Sequence, residues 1–293
     1  VQFEVEGGRS GRRRFGARES HVIFTPTGPP AAADLEVGDE VLVSVRDYDL
    51  TAGQWQVILG GTFGDGSLRK VGTHVASFRV GHSEAQKDYL RWKHSMLAPF
   101  SSPIRRTGNG FGFDTLAIPA LADLRSHYYG TGRERLAAQA ALDRLDARGL
   151  AVWYADDGSF MGSYARWGKG KAVLYNTALS AESRARVVGL FERLGIGRPR
   201  DDGRGFWLSS EQTATFHRMI APYVHPSMDF KLHPSERGRF EWQPELEGSV
   251  APLANRARLR AVPARILKRY VKPATRSTHR FDLEIEGNHT YLV

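Results

Sequence analysis

The sequence predicts an α+β fold in which one αββαββα unit occurs twice, between two β-rich ends. Three patterns support this prediction. Two apolar stretches each end in an acid followed by glycine, the same order of helical and strand-like segments follows both, and both chain ends alternate apolar and polar residues. Because an internal repeat decides the architecture of a chain, we predict four segments, at 1–50, 54–146, 147–245 and 250–293.

The two apolar stretches have helical length and are found at residues 58–66, ILGGTFGDG, and 150–158, LAVWYADDG. Gly60 and Gly64 lie about one helical turn apart, so one face of the first helix has no side chains to hold a second backbone away. Each stretch ends in Asp-Gly, which is also a common turn dipeptide. One copy alone therefore indicates only a buried helix, whereas two copies in the same register indicate a helix pair.

The two stretches resemble the defining motif of the LAGLIDADG homing endonucleases in their single-chain, two-repeat form. In that family the acid at the eighth motif position is a metal ligand, and it corresponds here to Asp65 and Asp157. Val152 stands where a glycine is usual. The resemblance covers roughly residues 54 to 245. It implies two saddle-shaped antiparallel sheets in a monomer with internal pseudo-twofold symmetry, and double-stranded DNA as the partner.

Composition limits the classes of protein that remain. The chain is 41% hydrophobic and 25% charged, which is typical of a globular protein. It has neither an apolar run of bilayer length nor a signal-peptide pattern, so we expect neither membrane insertion nor secretion. Because it has no cysteine, disulfides, thiolate metal sites and cysteine catalysis are excluded. We expect a cytoplasmic protein of a bacterial or phage-infected cell.

The positive charge is concentrated in the middle and at the end of the chain. The net charge is +9, but residues 1–53 hold 6 Lys/Arg against 9 Asp/Glu. Residues 54–245 hold 26 against 19, and residues 246–293 hold 9 against 4. This distribution favours contact between part of the chain and a polyanion, although arginine-rich codon usage alone also raises the charge.

The strand-like segments offer basic side chains for DNA contact, because a two-stranded ribbon fits the major groove of DNA. Roughly half of such residues contact only phosphate, and a solvated basic sheet face is the alternative for each of them. The candidates are Arg69, Lys70 and Arg79 in the first repeat and Arg166, Lys169, Lys171, Arg198, Arg200 and Arg204 in the second.

The resemblance places divalent ions at Asp65 and Asp157, and oxygen ligands in a chain without cysteine favour Mg²⁺ or Mn²⁺. Asp156 is the nearest rival ligand, but helical spacing turns it about a quarter turn away. In the family a basic residue near each metal activates or stabilises the attacking water. Lys231, in an aromatic-Lys-Leu pattern, matches that residue in the second repeat.

The first repeat lacks the corresponding lysine. Before Leu136 the sequence has Arg133 and Arg135, and arginine stabilises charge but serves poorly as a base. We therefore expect one DNA strand to be cut more slowly. Lys93 is expected to lie on a helix surface.

Both chain ends resemble the splicing segments of inteins. Residues 20–26, SHVIFTP, place His21 at the position of the histidine that polarises the N-terminal scissile peptide, with Arg18 where threonine is usual. Residues 280–293 place Asp282 and His289 at positions of the C-terminal block. Residue 1 is neither Cys nor Ser and no final His-Asn pair follows, so we expect these groups to be vestigial here and this chain not to splice.

Three functions follow from the sequence. The first is an endonuclease that makes a double-strand break with short 3′ overhangs in a long asymmetric site. The second is a cleavage-impaired DNA-binding relic or a maturase-like protein, which the missing lysine favours. The third is a protein-splicing domain, against which the two ends argue.

Overall fold

The computed structural model describes residues 1–7, 12–129, 135–162, 170–243 and 257–271. Five of the residues singled out above lie outside this part of the chain, namely Arg133, Arg166, Lys169, Asp282 and His289.

Strands in the described residues form three antiparallel sheets of four strands each. In chain order they are β1 (Gln2–Glu6), β2 (Arg12–Gly16), β3 (Glu40–Tyr48), β4 (Ser67–Lys70), β5 (Ala76–Ser83), β6 (Arg105–Thr107), β7 (Gly110–Asp114), β8 (Gly158–Met161), β9 (Lys171–Tyr175), β10 (Arg200–Asp201), β11 (Gly205–Trp207) and β12 (Ala257–Tyr270).

The α-helices of the described residues belong to the same part of the chain as the two central sheets. They are α1 (Ala52–Phe63), α2 (Lys87–Leu97), α3 (Pro119–Tyr128), α4 (Gln139–Asp143), α5 (Ala147–Asp157), α6 (Ala181–Arg193) and α7 (Ser210–Ile220). The predicted α+β class with antiparallel sheets is confirmed.

Two elements that the sequence predicts differ in the structure. The sequence pattern predicts a helix over 133–146, but within its described part only α4 is α-helical. The Arg135 N–H donates to the Ala178 carbonyl and the Leu136 N–H to the Tyr128 carbonyl, so this backbone is held in strand-like pairing. The strand predicted at His21–Phe24 is reduced to isolated bridges.

The two central sheets have the same strand order relative to the chain. One runs β4-β5-β7-β6 and the other runs β8-β9-β11-β10, so in each the second strand along the chain lies between the first and the fourth. Apolar side chains of both sheets and of the helices form one continuous core. Along β5, Phe78 and Val80 point into this core while Arg79 is exposed, so the opposite face of the sheet carries polar side chains.

Helices α1 and α5 pack side by side at the centre. Thr51 begins α1 with a capping box, in which its hydroxyl accepts from the Gln54 N–H. Asp146 caps α5 by accepting from two backbone N–H groups. A side chain on Gly60 would collide with the Gly149 carbonyl and approach the Val152 Cβ to 2.8 Å, so the backbones meet there because Gly60 has no side chain.

N-terminal strands and the last strand of the described residues share the third sheet. Its order is β2-β1-β12-β3, and β12 pairs with β3 from Ala257 opposite Tyr48 to Arg265 opposite Glu40. Phe3, Val43 and Ile266 belong to its separate apolar cluster. This terminal sheet therefore has a core of its own. Among the described residues, no helix is long and apolar enough to span a bilayer.

Candidate active site

Asp65 and Asp157 lie at the same end of the central helix pair. Helix α1 ends at Phe63 and Asp65 follows its C-cap, Gly64, whereas Asp157 is the last residue of α5. The Asp65 side chain is 39% exposed and Asp157 is half-buried. The packing of α1 on α5 thus brings together two carboxylates that lie far apart in the sequence.

The two carboxylates differ in their electrostatic surroundings. Burial, followed by the negative charges of Asp65 and Asp156, raises the pKa of Asp157 to about 7, against the opposing effect of Lys231 and Arg135. Burial favours a higher pKa for Asp65 as well. The contact with His82 and the charges of His82, Lys93 and Lys231 outweigh burial, so the pKa of Asp65 lies below its ordinary value. Negative charge at Asp157 is therefore incompletely compensated, and a cation there is favoured.

Lys231 lies against the C-terminal end of α5. Its Nζ donates to the carbonyl oxygens of Ala155 at 2.6 Å and Asp156 at 2.9 Å, where a helix end favours positive charge. The Tyr154 hydroxyl holds the Lys231 carbonyl at 2.8 Å. Burial lowers the pKa of Lys231 below its ordinary value, although the nearby carboxylates oppose this shift.

Arg135 also acts on Asp157 and is half-buried. Its guanidinium is 5.9 Å from the ring centre of Tyr128. Burial opposes its charge, but Tyr128, Tyr129 and Asp157 together raise the pKa of Arg135. Arg135 therefore supplies a permanent positive charge whose field reaches Asp157.

The sequence analysis missed a buried ion pair next to these carboxylates. Lys93 is 0% exposed, so its expected place on a helix surface is wrong. Its Nζ lies 2.6 and 2.8 Å from the two carboxylate oxygens of Asp156 and 3.1 Å from His82 Nε2. The pattern of α2 contains a signal for this burial, because Lys93 follows buried Tyr89 by four residues and precedes buried Leu97 by four.

Asp156 lies beside Asp65, whose backbone N–H it accepts at 3.2 Å, whereas helical spacing predicted that it points away from the site. Its side chain is buried against Gly64, where a Cβ would collide with it. One oxygen each of Asp65 and Asp156 and one ring nitrogen of His82 lie within 4.8 Å of one another and could hold a metal ion by distance. Because the Lys93 ammonium already contacts both His82 and Asp156, these three residues do not fit a metal ion. Asp65 and Asp157 both offer carboxylate oxygens, the ligands that Mg²⁺ prefers, and burial together with neighbouring carboxylates raises the pKa of Asp157, so a cation there would stabilise its charge.

Most of the described basic candidates are exposed on or beside the central sheets. Arg69 and Lys70 lie on β4 and Lys171 on β9. Arg79 pairs with Asp114 at 2.6 Å, so part of its charge is neutralised. The remaining exposed candidates lie on β10 or in loops beside it, namely Arg198, Arg200 and Arg204. Of these, Arg198 lies 3.4 Å from Glu192.

Sequence reasoning also missed Arg105 and Arg106 on β6. Both are exposed, and Arg105 contacts Asp114 from the strand next to β7. The sequence signal for β6 is a polar strand-like segment immediately before Gly108 and Asn109, which form the turn into β7. These residues extend the basic outer surface of the first central sheet.

His21 lies in the terminal part of the fold, away from the central helix pair. Its Nδ1 is 3.4 Å from the Arg18 N–H, and its carbonyl accepts from the Ala32 N–H at 2.7 Å.

An acid from each of two packed helices, set between two antiparallel sheets with basic outer strands, is an arrangement suited to a nuclease. Residues 55–209 match the LAGLIDADG DNA endonuclease family. The chain belongs to this family and is a DNA endonuclease.

The chain is also similar to relatives of another name and, in fold, to a solved structure. The chain is 38% identical over 310 residues to a protein named Protein RecA from Mycolicibacterium chitae, covering 100% of this chain and 71% of the relative. A Protein RecA from Mycobacterium shimoidei is 37% identical with the same coverage. The homing endonuclease I-WcaI, solved bound to its DNA recognition sequence, is similar in fold with a TM-score of 0.55 and 16% identity, over 62% of this chain and 87% of that one.

Proposed function

We propose that this endonuclease makes a double-strand break at a long, asymmetric DNA sequence by metal-dependent hydrolysis of one phosphodiester in each strand. The observation that carries the proposal is the placement of Asp65 and Asp157 at adjacent ends of α1 and α5, with the pKa of Asp157 raised to about 7 by burial and by neighbouring carboxylates. Such a pair of acids suits divalent cations.

Asp65 and Asp157 are the residues that hold the ions, and their oxygen donors favour Mg²⁺ or Mn²⁺. A bound divalent ion lowers the pKa of water and stabilises the charge that develops on the phosphate. Lys231, whose pKa lies below its ordinary value, is suited to exchange a proton with attacking water. Arg135 stays protonated and stabilises charge. The two strands are therefore cut at unequal rates.

The two central sheets form the DNA-binding surface in this proposal. Their common strand order supports an origin as two copies of one αββαββα unit within a monomer. Their outer residues differ, since the first sheet carries Arg69, Arg79 and Arg105 where the second carries Lys171 and Arg200. Two different reading surfaces match two different half-sites, which makes the target asymmetric.

The relatives suggest which gene contains the target. The similarity to proteins named RecA extends over the whole of this chain, and strands from before and after the central endonuclease part, β1 to β3 and β12, share one sheet. We infer that these relatives carry an inserted intein with an endonuclease. The target is then the uninterrupted recA gene at the insertion point.

Cleavage of an uninterrupted recA gene in Mg²⁺ tests this proposal. A recA gene with the same protein sequence but shuffled codons is the matched control. We expect one double-strand cut with short 3′ overhangs in the natural gene and none in the control. Selective binding of the natural gene without a cut in Mg²⁺ or Mn²⁺ would identify a DNA-binding relic instead, and cutting of both genes would contradict sequence specificity.

A further inference from the structure

The Lys93 ammonium lies beside the cluster formed by Asp65, His82 and Asp156. The Asp156 side chain and Lys93 are both 0% exposed and His82 is 1% exposed, so the ion pair is shielded from water. A buried charge is tolerated when it is paired and hydrogen-bonded, and Lys93 meets both conditions through Asp156 and His82. This lysine therefore acts as a fixed cation inside the protein.

The contact with Lys93 determines the hydrogen position on His82. A lysine ammonium can only donate hydrogen bonds, so His82 Nε2 accepts from Lys93 at 3.1 Å. In a neutral imidazole the other nitrogen then carries the hydrogen. This nitrogen, Nδ1, lies 3.4 Å from Asp65 Oδ2, an electrostatic contact without hydrogen-bond geometry. His82 thus connects the Lys93 charge to the Asp65 carboxylate.

A second connection passes through Asp156. Its Oδ2 accepts the backbone N–H of Asp65 at 3.2 Å, and its Oδ1 accepts the Tyr89 hydroxyl at 3.0 Å. Both oxygens also accept from Lys93. Asp65 is consequently held through its side chain and through its main chain, and both connections end at the same ammonium.

We propose that Lys93 is a positioning residue for Asp65, an internal cation that holds this carboxylate through His82 and Asp156 in the place where it serves its half of the reaction. The inference rests on the proposed function, in which Asp65 binds a metal ion. The Lys93 ammonium reaches Asp65 through its contacts with His82 and Asp156. Its link to the Asp157 half is electrostatic, through the charges of Asp156 and Lys231. Removing Lys93 therefore affects the two halves of the site unequally.

The decisive variant is Lys93→Met combined with Asp156→Asn, which removes both buried charges while keeping side chains of similar size. Lys93→Met alone leaves Asp156 buried without its cation and is the less suitable change. Arg91→Met is the matched control, because Arg91 is on the same helix, is 61% exposed and pairs with Asp88. His82→Asn is a second test that leaves the Lys93–Asp156 pair intact.

The first measurement is the ¹H–¹⁵N correlation of the His82 ring in metal-free protein. We expect the Nδ1–H form in the wild type and in Arg91→Met, and its loss in the double variant. The second is single-turnover cleavage with each DNA strand end-labelled. His82→Asn should slow one strand about 10- to 100-fold and the other much less. The double variant also removes the Asp156 charge that acts on Asp157, so it is used for the ring measurement alone.

An unchanged His82 tautomer in the folded double variant overturns the proposal, and so does equal slowing of both strands in His82→Asn. If the wild type cuts no DNA, the proposed function fails, while the tautomer measurement still decides whether Lys93 fixes His82.

Discussion

At the scale of single residues, the two carboxylates that we propose to hold the metal ions differ because their neighbours differ. Asp65 has His82 beside it and its pKa is lowered, whereas burial and two other carboxylates raise the pKa of Asp157 to about 7. The ordinary pKa of Asp is 3.8. Between pH 3.8 and about pH 7, Asp157 therefore holds a proton in the folded protein that it releases in the unfolded chain. Asp157 therefore lowers the stability of the ion-free protein as pH rises toward 7.

This difference predicts a pH-dependent stabilisation by Mg²⁺. We expect Mg²⁺ to raise the thermal midpoint more at pH 8, where Asp157 is ionised, than at pH 6, where it is largely protonated. Thermal unfolding at both pH values, with Mg²⁺ or with EDTA, measures the effect. Asp157→Asn should remove the pH difference, and Glu36→Gln, at an exposed carboxylate, should leave it unchanged. Equal stabilisation at both pH values would refute the proposed placement of the ion.

The two basic residues predict an imbalance between DNA strands. Lys231→Met should slow the faster strand by about 10²–10⁴-fold, the range of general acid–base catalysis. Arg135→Lys should speed the slower strand, because lysine can lose a proton and arginine cannot. Strand-resolved cleavage rates measure both effects. Equal rates for the two strands in the wild type would show that the Lys231–Arg135 difference has no catalytic consequence.

At the scale of secondary-structure elements, the α1–α5 contact positions the site. Gly60→Ala forces a methyl group toward the Gly149 carbonyl, and overpacking of this kind costs about 1–3 kcal/mol. Gly189→Ala in α6 is the matched control, because no atom lies within 4 Å of the place that its methyl group would take. It should stabilise the protein by about 0.5–1 kcal/mol. Urea unfolding of both variants measures the difference, and a neutral Gly60→Ala would contradict close backbone contact.

The helix pair and its acids could be predicted because their motifs are local in sequence. The spacing along α2 indicates that Lys93 faces the core, but the buried ion pair could not be predicted, since Asp156 is supplied by another helix 63 residues away. A lysine on an apolar stripe more often extends its charge to solvent. The helix predicted over 133–146 was wrong because Arg135 and Leu136 pair with the backbone of distant segments.

At the scale of the whole molecule, two separate apolar cores predict two unfolding units. The terminal sheet has its own cluster, which includes Ile266, whereas all six tryptophans lie between residues 55 and 242. Ile266→Ala should cost the terminal sheet about 2–5 kcal/mol. We expect a shifted transition by circular dichroism and an unshifted one by tryptophan fluorescence. Leu174→Ala, in the central core, should shift both. Equal shifts of both signals in Ile266→Ala would mean that the two cores unfold together.

The central claim is that Asp65 and Asp157 together form a metal-dependent centre. Its most direct test is single-turnover cleavage of the recA target in Mg²⁺ by the wild type, Asp65→Asn and Asp157→Asn, with DNA binding measured in parallel. We predict that each variant binds the target but cuts it slower by about 10²–10³-fold or more. Cleavage at the wild-type rate by either variant would contradict the claim.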